Sequence, residues 1–253
     1  MKSALTIAGF DPSGGAGIQA DLKVYHSYGV YGLSVVSALT AQNSGGVKRV
    51  MPVTRQFVKK QLTVLLDDIK PDATKTGMLC RESTVEVIAY IVKKYSLRNF
   101  VIDPVILSST GRPLAEKGVP GAIRKKLLPL CTVVTPNMYE ASVLSGIPIK
   151  NQIDMEKAAL TLHEYGAKNV IVTGGHLDKM AVDVVYDGEF HYLRGRKSAG
   201  EYHGTGCAFS AAVTALLARG YGVLEAARLA KGFMKKAFAK SFSTGQKMKL
   251  FNL

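Results

Sequence analysis

Short apolar runs alternate along this chain with stretches whose apolar residues recur every three or four positions. Six runs read as strands, at 4–8, 33–40, 73–76, 100–103, 132–135 and 170–173. Each is apolar and closed by Gly, Pro or a polar residue, the pattern of strands buried on both faces. Between them, 58–66, 84–95, 155–165 and 208–219 carry the period of amphipathic helices. Strand and helix in alternation predict an α/β fold: a doubly wound, mostly parallel sheet flanked by helices, with right-handed connections. Residues 182–186 and 190–193, separated by an Asp187-Gly188 turn dipeptide, predict a small antiparallel hairpin at the edge. No Pro/Ser-rich linker, repeat or low-complexity tract divides the chain. One domain over residues 1–253 is expected, with its ligand crevice at the carboxyl ends of the strands.

At 253 residues and 47% hydrophobic, the chain can bury a large core. The first apolar run is broken by Gly9, Asp11 and Pro12, and no stretch approaches membrane-spanning length. A soluble, cytoplasmic protein without a membrane partner is expected. Cys80, Cys131 and Cys207 lack the spacing of a zinc site or a disulfide framework. The net charge of +14 favours anionic partners without choosing among them. Much of it follows Glu225, where Arg228, Lys231, Lys235, Lys236, Lys240, Lys247 and Lys249 meet no acidic residue. With Leu229, Phe233, Ala237 and Phe238 as an apolar stripe, these read as the solvated face of a helix, and no nucleic-acid partner is expected.

Three segments carry candidate chemistry. Gly9-Phe10-Asp11-Pro12-Ser13-Gly14-Gly15-Ala16-Gly17 follows a strand and opens a helix that ends at Gly29. Its glycines allow close backbone approach to a ligand, or simply a tight turn. A dinucleotide site is excluded, because residues 22–66 contain no Asp or Glu for the ribose hydroxyl. His203-Gly204-Thr205-Gly206-Cys207 precedes a helix of small residues, so its free N–H groups could hold a phosphate or oxyanion. Cys207 at that helix start is either a favoured thiolate, able to take a proton from an alcohol, or packed core. Asp103-Pro104-Val105 and Thr135-Pro136-Asn137 with Glu140 place acidic and amide groups at strand ends. They suit Mg²⁺, which takes few protein oxygens and keeps its waters, or they form a helix capping box. No Walker loop is present.

Together these segments resemble the hydroxymethylpyrimidine and phosphomethylpyrimidine kinases of thiamine biosynthesis, in the ribokinase-like superfamily. The resemblance rests on residues 6–23 around the glycine loop, Ala38-Leu39-Thr40-Ala41-Gln42-Asn43, Lys75-Thr76-Gly77-Met78-Leu79, Asp103-Pro104-Val105, Thr135-Pro136-Asn137, Gly174-Gly175-His176 and residues 203–207. It implies ATP as co-substrate, Mg²⁺ as cofactor and a homodimer. It further implies that the pyrimidine lies against Gly9, Ala16, Met78 and Val105, with the Gln42 amide on its ring nitrogen and amine. Asp103 and Glu140 would organise magnesium, with Asn137 and Thr173 on the nucleotide phosphates. Gly204, Thr205 and Gly206 would hold the moving phosphoryl group, and Cys207 would take the alcohol's proton.

The chain departs from that pattern at Thr173, where such kinases commonly have Lys, at Phe10, at residues 198–202 and in its last eleven residues. A cationic phosphate contact is therefore missing or supplied from elsewhere. Three readings stay open: the pyrimidine kinase, a pyridoxal or pyridoxine kinase, and a non-catalytic binding protein on the same fold.

Overall fold

The computed structural model describes residues 1–175, 180–198, 200–245 and 247–253. Among them nine strands form one sheet: β1 (Ser3–Phe10), β2 (Tyr31–Asn43), β3 (Gly46–Pro52), β4 (Ala73–Thr76), β5 (Phe100–Ile102), β6 (Val133–Val134), β7 (Val170–Val172), β8 (Ala181–Tyr186) and β9 (Phe190–Gly195). Their order is β3-β2-β1-β4-β5-β6-β7-β8-β9. From β2 to β7 neighbouring strands run parallel, whereas β3, β8 and β9 pair antiparallel with their neighbours. The fold class and edge hairpin expected from the pattern are present. The hairpin loop holds three residues, since Tyr186 pairs with Phe190 and leaves Asp187, Gly188 and Glu189 between them.

Helices cover both faces. On one side α2 (Arg55–Asp68), α3 (Glu82–Lys94), α4 (Val119–Ala122), α5 (Met138–Ser145) and α6 (Gln152–Glu164) pack on Leu5, Ile7, Ile102, Val134 and Val172. On the other, α1 (Gly17–Ser27), α7 (Thr205–Ala218) and α8 (Val223–Ala239) cover Ala4, Ala73, Val101, Val133 and Ile171. Side chains alternate between these cores because successive strand residues point to opposite faces. The small residues of α7 let it pack directly on the sheet, and eleven of its residues, Ala208 to Ala218, are buried. None of the described helices is long and apolar enough to cross a membrane.

Two details differ from the sequence reading. Residues 46–52 form an edge strand despite Lys48 and Arg49, both exposed there; charge on an edge strand discourages pairing with another chain and hides the strand signal. The basic helix α8 buries Ala226, Ala227, Ala230, Met234 and Ala237, while Leu229 is 42% exposed. Its stripe is thus rotated from the one expected. Lys231 leaves the solvated face and donates to Asp183 Oδ2 at 2.7 Å and Leu193 O at 2.6 Å.

The strand order reverses between β1 and β4. Crossovers leave those two neighbouring strands in opposite directions, which opens a crevice beyond their carboxyl ends. Gly9 is the penultimate residue of β1, Met78 follows β4, Asp103 follows β5, Asn137 follows β6 and Thr173 follows β7, so these candidate residues share one rim.

Candidate functional site

Both glycine loops meet over the crevice. Gly204, with φ +81°, is the N-cap of α7, and a Cβ there would collide with the Gly15 carbonyl oxygen. Only glycine serves, for sterics and for backbone conformation. No side chain caps α7 and no acidic residue lies in its first turn, so the N–H groups of Thr205, Gly206 and Cys207 face a region that favours negative charge. The loop after β1 is built around Asp11, which is 2% exposed. Its carboxylate accepts from Ser13 N–H at 2.8 Å, Ser13 Oγ at 2.7 Å, Gly15 N–H at 3.1 Å and Ala16 N–H at 2.8 Å. His203 Nε2 donates to Asp11 Oδ2 at 2.9 Å. Burial alone would raise the Asp11 pKa, but the bonds from His203 and Ser13 outweigh it and hold the carboxyl well below its ordinary range. Asp11 is therefore an anionic hub for both loops.

One side of the crevice is small and apolar. Gly9 lies so near the Met78 methyl that a Cβ would overlap it, and Met78 clusters with Ala38, Cys80, Val50, Val105 and Leu114. Ala16 caps the start of α1 beside this wall. Gln42 lies four residues beyond Ala38 on β2, after a bulge, opposite Val47. Among the described residues no hydrogen bond engages its amide, so its donor and acceptor are free for a ligand.

The acidic side is more tightly wired. Asp103, 3% exposed, accepts from Ser210 Oγ at 2.8 Å and lies 3.6 Å from Lys75 Nζ. Glu140 makes the capping box with Asn137, each side chain accepting from the other's backbone N–H. It also faces Asp103: burial first, then the Asp103 charge, push its carboxyl up to about 8. The capping and acidic-site readings therefore coexist in one residue. Among the described residues no three His, Cys, Asp or Glu side chains gather as a metal site. Two facing carboxylates whose repulsion has no neutralising partner at Glu140 do fit a hard divalent cation that keeps most of its waters, such as Mg²⁺. Asp103 and Glu140 are the residues that would hold it.

Cys207 stands in the first turn of α7, half-buried. Its expected favoured thiolate is not what the structure gives. Burial and then the Asp103 charge push the thiol up to about 12, although Lys75 and the Gly17 N–H pull the other way. The helix terminus alone does not offset a buried carboxylate nearby.

Thr173 pairs with Asn137 across the rim and donates its N–H to Pro136 O at 2.9 Å. The missing lysine is not replaced by Lys231, whose ammonium is already bonded to Asp183, Leu193 and Ala181. Asp183 Oδ1 in turn accepts the Gly174 N–H at 3.1 Å, so this lysine braces the chain just past Thr173. His176 of the resemblance, Ala199 of the altered lead segment and Gln246 of the tail lie outside the described residues. Sequence reasoning assigned no role to Asp11, His203, Lys75, Asp21 or Ser210. Asp11 and His203 stood inside the quoted loops, but their pairing spans 192 residues and leaves no local signal.

This doubly wound sheet is shared with solved ribokinase-like kinases. The Bacillus subtilis pyridoxal kinase, solved as an ADP complex, superposes with a TM-score of 0.92 at 41% identity, covering 99% of this chain and 97% of that one. The chain is accordingly a phosphotransferase. Residues 11–252 match the phosphomethylpyrimidine kinase family model, and the chain belongs to that family. It is 44% identical to the pyridoxine kinase of Bacillus subtilis over 97% of its length and 93% of that protein. It is 40% identical to the hydroxymethylpyrimidine/phosphomethylpyrimidine kinase of Haemophilus influenzae, over 97% and 94% respectively. Against the thiamine biosynthetic bifunctional enzyme TH1 of Arabidopsis thaliana it is 42% identical and spans 49% of that protein's length.

Proposed function

We propose that the protein transfers the γ-phosphoryl group of ATP to the hydroxymethyl group of 4-amino-5-hydroxymethyl-2-methylpyrimidine, and then phosphorylates the monophosphate so formed. The observation that carries this reading is the junction of the uncapped α7 N-terminus with the apolar wall of Gly9, Met78 and Val105. A flat ring against that wall presents its alcohol to the anion hole. The free Gln42 amide suits a ring nitrogen beside an exocyclic amine.

Phosphoryl transfer through a loose transition state asks mainly for positioning and for charge stabilisation. The N–H groups of Gly204, Thr205 and Gly206 receive charge as it spreads over the phosphoryl oxygens. Asn137 and Thr173 line the nucleotide side. Magnesium, held by Asp103 and Glu140, would neutralise phosphate charge. The alcohol oxygen bonds to the γ-phosphorus as the bond to the β-phosphate oxygen breaks and ADP leaves. Cys207 is a thiol in the ligand-free protein, so it serves as the base only in a complex whose added positive charge offsets Asp103. Otherwise it orients the hydroxyl, and the proton departs after the new bond has formed, which a loose transition state permits.

A second reading, pyridoxal or pyridoxine as acceptor, is favoured by the 44% identity to the Bacillus subtilis pyridoxine kinase. ATP consumption with magnesium and each alcohol in turn separates the two. Higher kcat/KM on the pyrimidine, falling about tenfold or more in Gln42→Met, supports the first reading. Preference for pyridoxal with no effect at Gln42 replaces it with the second, and turnover of neither sinks both.

A further inference from the structure

Lys75 has no exposed surface. Lysine is almost never buried so fully unless it is paired, and here the ammonium lies 2.7 Å from Asp21 Oδ1. Asp21, on α1 and also without exposed surface, accepts from Thr6 Oγ1 of β1 at 2.6 Å on its other oxygen. One cation and one anion would complete a structural pair. Lys75 Nζ is nevertheless also 3.6 Å from Asp103 Oδ2, the oxygen that Ser210 Oγ bonds at 2.8 Å from α7. Among the described residues the other Asp103 oxygen, Oδ1, has no hydrogen-bond donor. The carboxylate is thus gripped through one oxygen, and the second is left for the crevice.

We propose that Lys75, clamped by Asp21, is a positioning residue for phosphoryl transfer: it fixes the Asp103 carboxylate at the rim. The inference rests on the kinase reading above. Charged groups reach Lys75 from each element packed on it: Asp21 and the Tyr25 hydroxyl from α1, Asp103 from the end of β5 and Cys207 from α7. The two carboxylates face the ammonium at 2.7 Å and 3.6 Å, so the charge is held between α1 and the end of β5. A cation fixed there attracts negative charge developing at Cys207 and at the acceptor oxygen beyond it. It costs no reorganisation during the reaction.

The alternative is that the pair only holds α1 to the sheet. Replacing both members of a buried ion pair with neutral residues is often harmless to stability, whereas removing one leaves a lone buried charge. The Lys75→Met/Asp21→Asn double variant therefore separates the two roles. The double variant is expected to melt within about 5 °C of the wild type. Its calorimetric Kd values for ADP and the pyrimidine are expected to stay within about threefold while kcat falls about 100-fold, the split expected when reacting groups are misplaced and binding is not. A double variant with kcat within about threefold of wild type overturns the proposal. So does a loss of about tenfold or more in both Kd values, which assigns the pair to building the pocket. If the double variant does not fold, Asp21→Asn alone decides, since it removes the clamp and leaves the ammonium to shift against Asp103. A kcat loss of about tenfold or more with both Kd values within about threefold supports the proposal, and kcat within about threefold of wild type overturns it. Wild-type protein that turns over neither alcohol sinks the kinase reading and this inference with it. An active wild type beside an equally active double variant sinks the inference alone.

Discussion

His203 Nε2 lies 2.9 Å from Asp11 Oδ2, joining two glycine loops from opposite ends of the chain. The bond does more than staple them, because Asp11 also organises the N–H groups of Ser13, Gly15 and Ala16. Asp11→Asn is expected to destabilise the fold by about 3 kcal/mol, the scale for breaking a buried, charge-assisted network. The folded carboxyl titrates below its ordinary value of 3.8. Its contribution to stability is therefore complete above that value and is lost as pH falls through the depressed folded one. Urea unfolding of wild type and variant at pH 7 and pH 3 checks this: the gap between them narrows at the lower pH.

Glu140 carries the opposite sign. Its carboxyl titrates higher in the folded protein than the ordinary 4.5, so folding loses stability as pH rises from there toward about 8. Glu140→Gln keeps an oxygen for the capping box and removes the charge. The variant is expected to melt above wild type, by a margin that widens between pH 5 and pH 8, while turnover falls about 100-fold. Thermal melts across that range, beside one activity assay, test both halves.

Cys207 offers a choice that two substitutions resolve. In the ligand-free protein the thiol is expected to resist iodoacetamide at neutral pH, because burial and Asp103 disfavour the thiolate. Cys207→Ala is expected to lower kcat about 100-fold with ligand binding retained. If the thiol orients the alcohol, Cys207→Ser keeps kcat within about tenfold of wild type; if it is the base, Ser falls as far as Ala.

Thr173→Lys tests the nucleotide side. With Lys231 committed to Asp183, that lysine does not replace the cation this position lacks. The added ammonium is expected to lower the KM for ATP about tenfold, the value of one charged hydrogen bond, with the KM for the alcohol unchanged. Initial-rate kinetics with each substrate varied in turn provides the check.

The parallel core was legible because buried strands such as 170–172 and 100–102 are unbroken apolar runs. The helix periods between them left little choice of topology. The glycine loops were legible because their composition is local. The wiring between them was not. Lys75 reads as one polar residue in a short strand, and Asp21 as an ordinary position of a mixed helix; only the fold closes the 54 residues that separate them. The thiolate expected at Cys207 failed for the same reason, since a helix terminus shows in sequence and a buried Asp103 behind it does not. Edge strand β3 escaped because solvent-facing Lys48 and Arg49 break the apolar pattern that inner strands keep.

The groups that would perform transfer stand on α7 and on the strands at the middle of the sheet, whereas Gln42 belongs to the outlying β2–β3 pair. On the proposed reading, that separation would let drift in one peripheral hairpin change the contact made by Gln42 while the groups at the middle of the sheet stay as they are. Relatives that share about two-fifths of their residues with this chain, and bear the names of two different vitamin kinases, are the lineage such a division of labour would leave behind.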